Sequence, residues 1–195
     1  MNYKINQIKN KDLNTIVNIW MKSLPSDFFV ILGSNFILKI YFKTFFNLKK
    51  KIGFKIIYKK RIVGFVLYGR FDQLINKIIK EDFTNLIFHS FKSILVNYKA
   101  LVLITNVIIF KFLTTHLKYL NNNNTEMLTL AIHPKYQGKK LGSILVMKSI
   151  SILKNKKFAK KVCLKTRLKS TKFYQKCKFK VFKKVFGRSF LVRVL

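Results

Sequence analysis

The segment Thr125–Lys154 constrains this chain more than any other. An alternating apolar run from Met127 to Ile132 reads as a strand and stops at Pro134. A loop containing Gly138 and Gly142 follows, and helical periodicity begins at Leu141. A strand, a glycine-bearing turn and a helix start form an arrangement that holds a phosphate. The unpaired N–H groups of the first helical turn and the helix dipole both point at the anion.

The spacing selects among phosphate loops. A Walker loop ends in Gly-Lys-Ser/Thr and a dinucleotide fingerprint reads G-x-G-x-x-G, and neither is present. The segment instead resembles the pyrophosphate loop of the GNAT superfamily of acetyl-CoA-dependent N-acetyltransferases. That loop is Gln/Arg-x-x-Gly-x-Gly/Ala after a strand ending in Val/Ile-x-Pro. Gln137, Leu141 and Gly142 fit it, as do Ile132, Pro134 and Tyr136. Lys140 replaces the central glycine, which either weakens the turn or adds a cation beside the pyrophosphate. Phe173-Tyr174-Gln175-Lys176-Cys177-Lys178-Phe179 resembles the family's Tyr-x-x-x-Gly-Phe element, with Lys178 at the glycine position. A left-handed helix end is harder for lysine than for glycine, so this helix end is expected to be strained or differently closed.

The resemblance implies an α+β fold with a mixed, mostly antiparallel central sheet and helices on both faces. One GNAT-like domain would span 1–195. The residues supply the order of elements. Tyr3 to Ile8 reads as a strand, Asp12 to Met21 as a helix, and Pro25 breaks it before a second helix from Gly33-Ser34 to about Asn47. Phe54 to Tyr58, a turn at Lys59-Lys60-Arg61, and Ile62 to Phe71 form a hairpin, with Arg61 to Phe65 resembling the family's third strand. Residues 72–119 read as a variable helical insert that contributes to the acceptor pocket, and Asn121 to Asn124 as a loop. A strand near Lys161 to Thr166, a helix near Ser170 to Cys177, and strands at Phe179 to Val185 and Ser189 to Val194 complete the order.

The charge is the oddity: 40 Lys and Arg against 6 Asp and Glu, net +34. Such an imbalance favours polyanions, whether nucleic acid, anionic bilayer or phosphorylated ligand. Richness in Lys, Asn, Ile, Phe and Tyr is also the usage of an AT-rich genome, although that leaves the scarcity of Glu unexplained. The lysines are scattered through every element, which reads as a solvated surface and against a nucleic-acid interface. Peripheral contact with an anionic membrane stays open. Cys163 and Cys177 lack zinc or redox spacing, and lysines interrupt any signal-peptide core near the N-terminus; both indicate a reducing, cytoplasmic setting. Phe28 to Leu48 and Ile94 to Leu113 are each interrupted by two lysines and fall short of a membrane span.

Acetyl transfer from a thioester to an amine needs a neutral amine, a polarised carbonyl and a proton for the leaving thiolate. The resemblance implies Glu126 as the base, placed where several family members have a glutamate. It implies Tyr174 as the acid. The alternatives are a glutamate opening an exposed strand and an aromatic that packs its helix. Acetyl-CoA would be held by Leu130, Ala131 and Ile132 along the pantetheine arm. Gln137, Gly138, Lys139, Lys140, Leu141, Gly142 and Ser143 would lie around the pyrophosphate. Arg167 stands where relatives have an asparagine that contacts the cofactor; it could equally be a surface arginine. His133 reads as a turn residue, and His89 and His116 as packing or surface residues without a metal spacing. The acceptor is a small-molecule or peptide amine. The high charge tilts it toward an anionic amine and away from polyamines. A non-catalytic acyl-CoA binder and a basic nucleic-acid or membrane-surface binder are the competing readings.

Overall fold

The structure, a computed structural model, describes residues 3–96, 123–185 and 187–195. The chain begins with strand β1 (Tyr3–Gln7) and helix α1 (Leu13–Ser23). A short helix α2 (Phe28–Ile31) follows. Helix α3 then runs from Ser34–Phe36 through a π-helical turn at Ile37–Tyr41 into Phe42–Phe46. Strands β2 (Ile52–Tyr58) and β3 (Arg61–Gly69) lead into α4 (Phe71–Val96), which is kinked at Asp82. Strand β4 (Asn124–Ile132) and helix α5 (Leu141–Asn155) form the strand–loop–helix unit. Strand β5 (Lys161–Arg167), helix α6 (Thr171–Lys176) and strands β6 (Lys180–Val185) and β7 (Arg188–Val194) close the chain.

Among the described residues the strands form one seven-stranded sheet in the order β1-β2-β3-β4-β5-β7-β6. The β4–β5 pair is parallel and the rest are antiparallel. This is the expected α+β architecture. Alternation along the strands feeds two apolar layers. On one face, Trp20, Phe36, Tyr41 and Phe45 pack on Phe65, Leu67 and Ala131. On the other, Leu145, Val146, Ile150 and Leu153 of α5 pack on Val63, Val66, Met127 and Val162. Central strands buried on both sides explain why β3 reads as a nearly continuous apolar run.

Boundaries differ from the sequence reading where local chemistry was silent. Arg61 belongs to β3, because Lys59 and Lys60 alone turn the hairpin, both at positive φ (49° and 62°). Asn124 is the first residue of β4, pairing with Lys161, so the asparagine tract enters the sheet. Helix α2 was not expected; the Asp27 carboxylate caps it by accepting the Phe29 N–H at 3.0 Å. The proposed insert is helical through Val96; its remainder, with His116 and most of Ile94 to Leu113, lies outside the described residues. Among the described residues no helix is long and apolar enough to cross a membrane.

Candidate functional site

The sheet opens at its centre. Strand β4 pairs with β3 from Glu126 to Ile132, but with β5 only at Asn124↔Lys161, Thr125↔Val162 and Glu126↔Cys163. Strand β5 continues to Arg167 on its other side, paired with β7. From Met127 and Leu164 onward the facing edges of β4 and β5 therefore share no ladder. A bulge accompanies the opening: Leu67 pairs with Thr129 and Tyr68 with Met127, leaving Leu128 as the extra residue. An extra residue bends its strand and sharpens its twist. It also shifts the alternation, so that Thr129 and Ala131 join Glu126 on the face covered by α1 and α3, while Met127, Leu130 and Ile132 face α5.

The phosphate-type loop lies at the far end of β4. His133 starts it as a turn residue, its Nδ1 accepting the Lys135 N–H at 3.2 Å. Gln137 Nε2 donates to the Ile132 carbonyl at 2.9 Å and ties the loop to the strand end. Gly138 has φ +75°, and a Cβ built there would meet no atom within 4 Å. Lys140 occupies the left-handed region (φ 58°, ψ 3°) as the residue before α5, the conformation its glycine counterpart would take. Among the described residues no acceptor is found for the backbone N–H groups of Gly138 through Ser143. The first turn of α5 carries no acidic side chain. Gly142 lets this turn lie close to its surroundings: a Cβ there would touch Phe173 at 3.4 Å and Ile132 at 3.6 Å. Free N–H groups at the positive end of a 15-residue helix can take a diphosphate-sized anion.

Glu126 sits at the vertex of the opening, the last β4 residue paired on both sides, and is 4% exposed. Its Oε1 lies 3.4 Å from Lys165 Nζ, which in turn sits 5.0 Å from the centre of the Phe71 ring. Tyr41 is fully buried on the same face, its hydroxyl against Thr129. Burial pushes its phenol well above the usual range, and the negative charges of both Asp27 and Glu126 add to the effect. Asp27 approaches from the α1–α2 connection. Burial pushes its carboxyl up to about 6, against the opposing pull of the Phe29 and Val30 N–H groups, the Trp20 indole and Arg167. Arg167 extends from the end of β5 to this connection, with Nη2 3.5 Å from the Ser26 carbonyl oxygen. It stands directly across from Arg188 of β7. Burial and the neighbouring Arg167 charge lower the Arg188 pKa.

Tyr174 lies on the opposite face of the sheet from Glu126. Its ring packs edge-on against Phe173 (4.9 Å) and Phe179 (6.0 Å), beside Cys177. Burial raises its pKa, with Cys177 adding to the shift. Its carbonyl closes the end of α6 by accepting the N–H groups of Cys177 and Phe179, and Lys178 adopts φ +65° there. The structure thus gathers Glu126 with Lys165, Tyr41 and Thr129, and Gln137 through Ser143 with Ile132. It sets Tyr174 on the α5 side and Arg167 beside Ser26. The sequence reading missed Asp27, Tyr41 and Arg188. Scarcity was the usable signal for Asp27, one of six acidic residues. Among the described residues no group of His, Cys, Asp and Glu could hold a metal ion.

A sequence profile of the acetyltransferase (GNAT) family matches residues 17–179. No curated protein sequence matches the chain significantly. Among solved structures, the chain is similar to the PaiA N-acetyltransferase of Thermoplasma acidophilum in complex with coenzyme A: TM-score 0.59, 15% identity, 100% of each chain covered. An acetyltransferase from Thermus thermophilus matches with TM-score 0.61 and 13% identity over 100% of this chain and 98% of that one. A chimera of the spermidine N-acetyltransferase SpeG from Vibrio cholerae and hSSAT matches with TM-score 0.57 and 12% identity, covering 100% and 96%. At such identities the likeness speaks for the fold.

Proposed function

Because the chain belongs to the acetyltransferase (GNAT) family, we propose that it moves the acetyl group of acetyl-CoA onto a primary amine. The observation that carries this reading is the opened β4–β5 edge leading to a helix N-terminus whose N–H groups have no acceptor among the described residues. The backbone of Leu130, Ala131 and Ile132 would hold the pantetheine arm as an added strand. The N–H groups from Gly138 to Ser143 would hold the pyrophosphate, with Gln137 bracing the loop and Lys139 and Lys140 adding positive charge. Residues and ligand fit: the loop is cationic, and Gly138 leaves open space where a side chain would stand.

In the reaction, the amine attacks the thioester carbonyl, the carbon–sulfur bond breaks, and the thiolate leaves. Glu126 receives the proton that the amine sheds; it is buried enough to exclude bulk water and sits where the two strands part. Tyr174 holds its proton across the working pH range because burial raises its pKa. It donates that proton toward the leaving sulfur from the α5 side. The setting is cytoplasmic, consistent with two buried free thiols among the described residues. Lys140 and Lys178 both take the left-handed conformation that glycine would take. The backbone geometry therefore survives these departures, which supports cofactor binding.

A thermal-shift titration with acetyl-CoA, followed by a thiol-release assay over a panel of amines, tests the reading. A ligand held only by the native state raises the melting temperature by mass action. Absence of any shift at millimolar acetyl-CoA would discard the cofactor assignment, and a shift without thiol release from any amine would discard catalysis.

A further inference from the structure

Helix α4 changes character at its kink. Before Asp82, Leu74 and Ile78 are buried in the core with Phe36 and Phe45. After it, no described side chain of the helix is buried, although the sequence stays strongly apolar. Phe83, Ile87, Phe88, Phe91 and Leu95 are between 51% and 72% exposed. Phe83, Ile87, Phe91 and Leu95 recur at every fourth residue and form a ridge along one side, with Phe88 beside it. The other side carries polar groups. The His89 ring meets Phe36 edge-on at 5.5 Å, and Ser93 Oγ lies 2.8 Å from the Ile31 carbonyl oxygen. A helix facing water has the reverse arrangement. Large apolar side chains gathered outward on one stretch make a patch that a solvated monomer rarely leaves bare.

The charge around the ridge is positive. Lys92 is the one charged residue from Phe83 to Leu95. Lys80 is exposed just before the kink, and Lys39 and Lys43 are exposed on α3, against which His89 packs. The nearby acids are engaged: Glu81 pairs with Lys77 at 3.5 Å, and Asp82 accepts from Asn85 at the kink. A second copy of the chain is a poor cover, because each copy brings a net charge of +34. An anionic bilayer answers both features, with phosphates for the lysines and acyl chains for the ridge. The stretch from Phe83 to Leu95 is about 20 Å long, enough to lie in the interface and too short to cross a ~30 Å hydrocarbon core.

We propose that the distal half of α4 is a membrane-docking face. It lays the phenylalanine-rich ridge into the headgroup boundary of an anionic bilayer, with the flanking lysines on lipid phosphates. The two parts act at different ranges. Lysines draw the chain in over about a Debye length and weaken with salt, whereas the ridge holds only on contact and is indifferent to salt. The docking uses neither the β4–β5 seam nor the loop before α5, so it is independent of the acetyltransferase reading.

The test is flotation of the full chain with vesicles of phosphatidylcholine, alone or with about one-third phosphatidylglycerol, at about 0.1 M and about 0.5 M salt. Wild type is expected to float with the anionic vesicles and much less with phosphatidylcholine alone. Phe88→Ser/Phe91→Ser, at positions 62% exposed in the free protein, should lower the partition coefficient at least about tenfold without lowering Tm. Phe182→Ser is the control: the same residue type, 61% exposed on β6, should bind like wild type. Failure of wild type to float with anionic vesicles at low salt overturns the proposal. So does undiminished binding of the double variant, which would leave scattered charge as the whole attraction, or an equal loss in Phe182→Ser. Phe91→Cys reads the ridge directly, because Cys163 and Cys177 are both buried. The introduced thiol should react fast with a maleimide in the free protein and be shielded by anionic vesicles. Slow reaction without lipid would mean that the ridge is already covered, by a second copy if sedimentation equilibrium shows a dimer and otherwise by the chain itself. Either result overturns the membrane as its occupant.

Discussion

Replacing Lys140 by glycine should make the protein more stable and its grip on acetyl-CoA weaker. Lys140 holds φ 58° and ψ 3° immediately before α5, where a Cβ crowds the following carbonyl. For a non-glycine residue this conformation costs about 1–2 kcal/mol. Glycine removes that strain but gives the unfolded chain more freedom, which takes back about 0.4–1 kcal/mol. The net gain is at most about 1.6 kcal/mol and centres on about 0.8 kcal/mol, or about 2–3 °C in Tm for a chain of this length. The lysine ammonium stands at the mouth of a helix whose first turn lacks acidic residues. Losing one exposed cation beside a diphosphate should weaken binding by about two- to fivefold at low salt, and less as salt screens the pair. Lys140→Ala separates the effects: it loses the charge, keeps the Cβ, and should show the same drop in affinity without the rise in Tm. Differential scanning calorimetry and isothermal titration with acetyl-CoA at two ionic strengths read both quantities. A lower Tm for Lys140→Gly, or equal Tm gains for glycine and alanine, would refute the strain argument. Unchanged affinity at low salt would remove Lys140 from the phosphate site.

Gly142→Asp should abolish most of the acetyl-CoA thermal shift, since its Cβ already reaches Phe173 at 3.4 Å and the carboxylate would face the bound anion; an intact shift places the cofactor elsewhere. Tyr174→Phe preserves the packing and deletes the proton donor, so turnover on an identified amine should fall by about 10²-fold or more with acetyl-CoA affinity near wild type. Glu126→Gln should lower turnover most at low pH, where the amine most needs a base, and a uniform loss across the pH profile would assign Glu126 to positioning. Asp27→Asn keeps the helix cap and removes a carboxyl held at about 6. From about pH 6 down to pH 3.8 the native form holds a proton that the unfolded chain lacks, so the wild-type group favours folding as pH falls and opposes it above 6. The groups facing it are the Phe29 and Val30 N–H, the Trp20 indole, Tyr41, Arg167 and Arg188. The variant should therefore gain about 1–3 kcal/mol at pH 7.5 relative to pH 4 in urea unfolding, and a flat difference would show that Asp27 titrates normally.

The strand–loop–helix unit was legible because its signals are local. Pro134 ends the strand, Gly138 supplies a positive φ, and apolar periodicity announces α5 from Leu141. The order of elements was legible for the same reason. The bulge at Leu128 was not, since Met127 to Ile132 looks like unbroken alternation; only pairing with β3 reveals that Thr129 follows Leu128 onto the face of Glu126. Helix α2 was missed because four residues carry no periodicity, and its cap is visible only once Asp27 is seen to turn back on Phe29. Tyr41 read as one more aromatic in an apolar helix. Its setting depends on the π-helical turn at Ile37–Tyr41, a change of phase that tertiary packing imposes. Arg188 becomes a neighbour of Arg167 only through the β5–β7 register.

Three residue pairs join β4 to β5, against long ladders on either side of that seam. The sheet is mechanically two plates with a short weld: β1–β4, clamped between two helix layers, and β5–β7, which carries Arg167 and Arg188. A ligand laid along the seam would bond to both plates and lengthen the weld, so its binding should suppress relative tilting of the plates. Amide exchange at Leu164 through Arg167 should then slow on ligand addition more than exchange in β2. The smaller plate would arrive at its working angle only when the first substrate is seated, which imposes an order on the substrates: the amine finds a finished site after the thioester has joined the two halves.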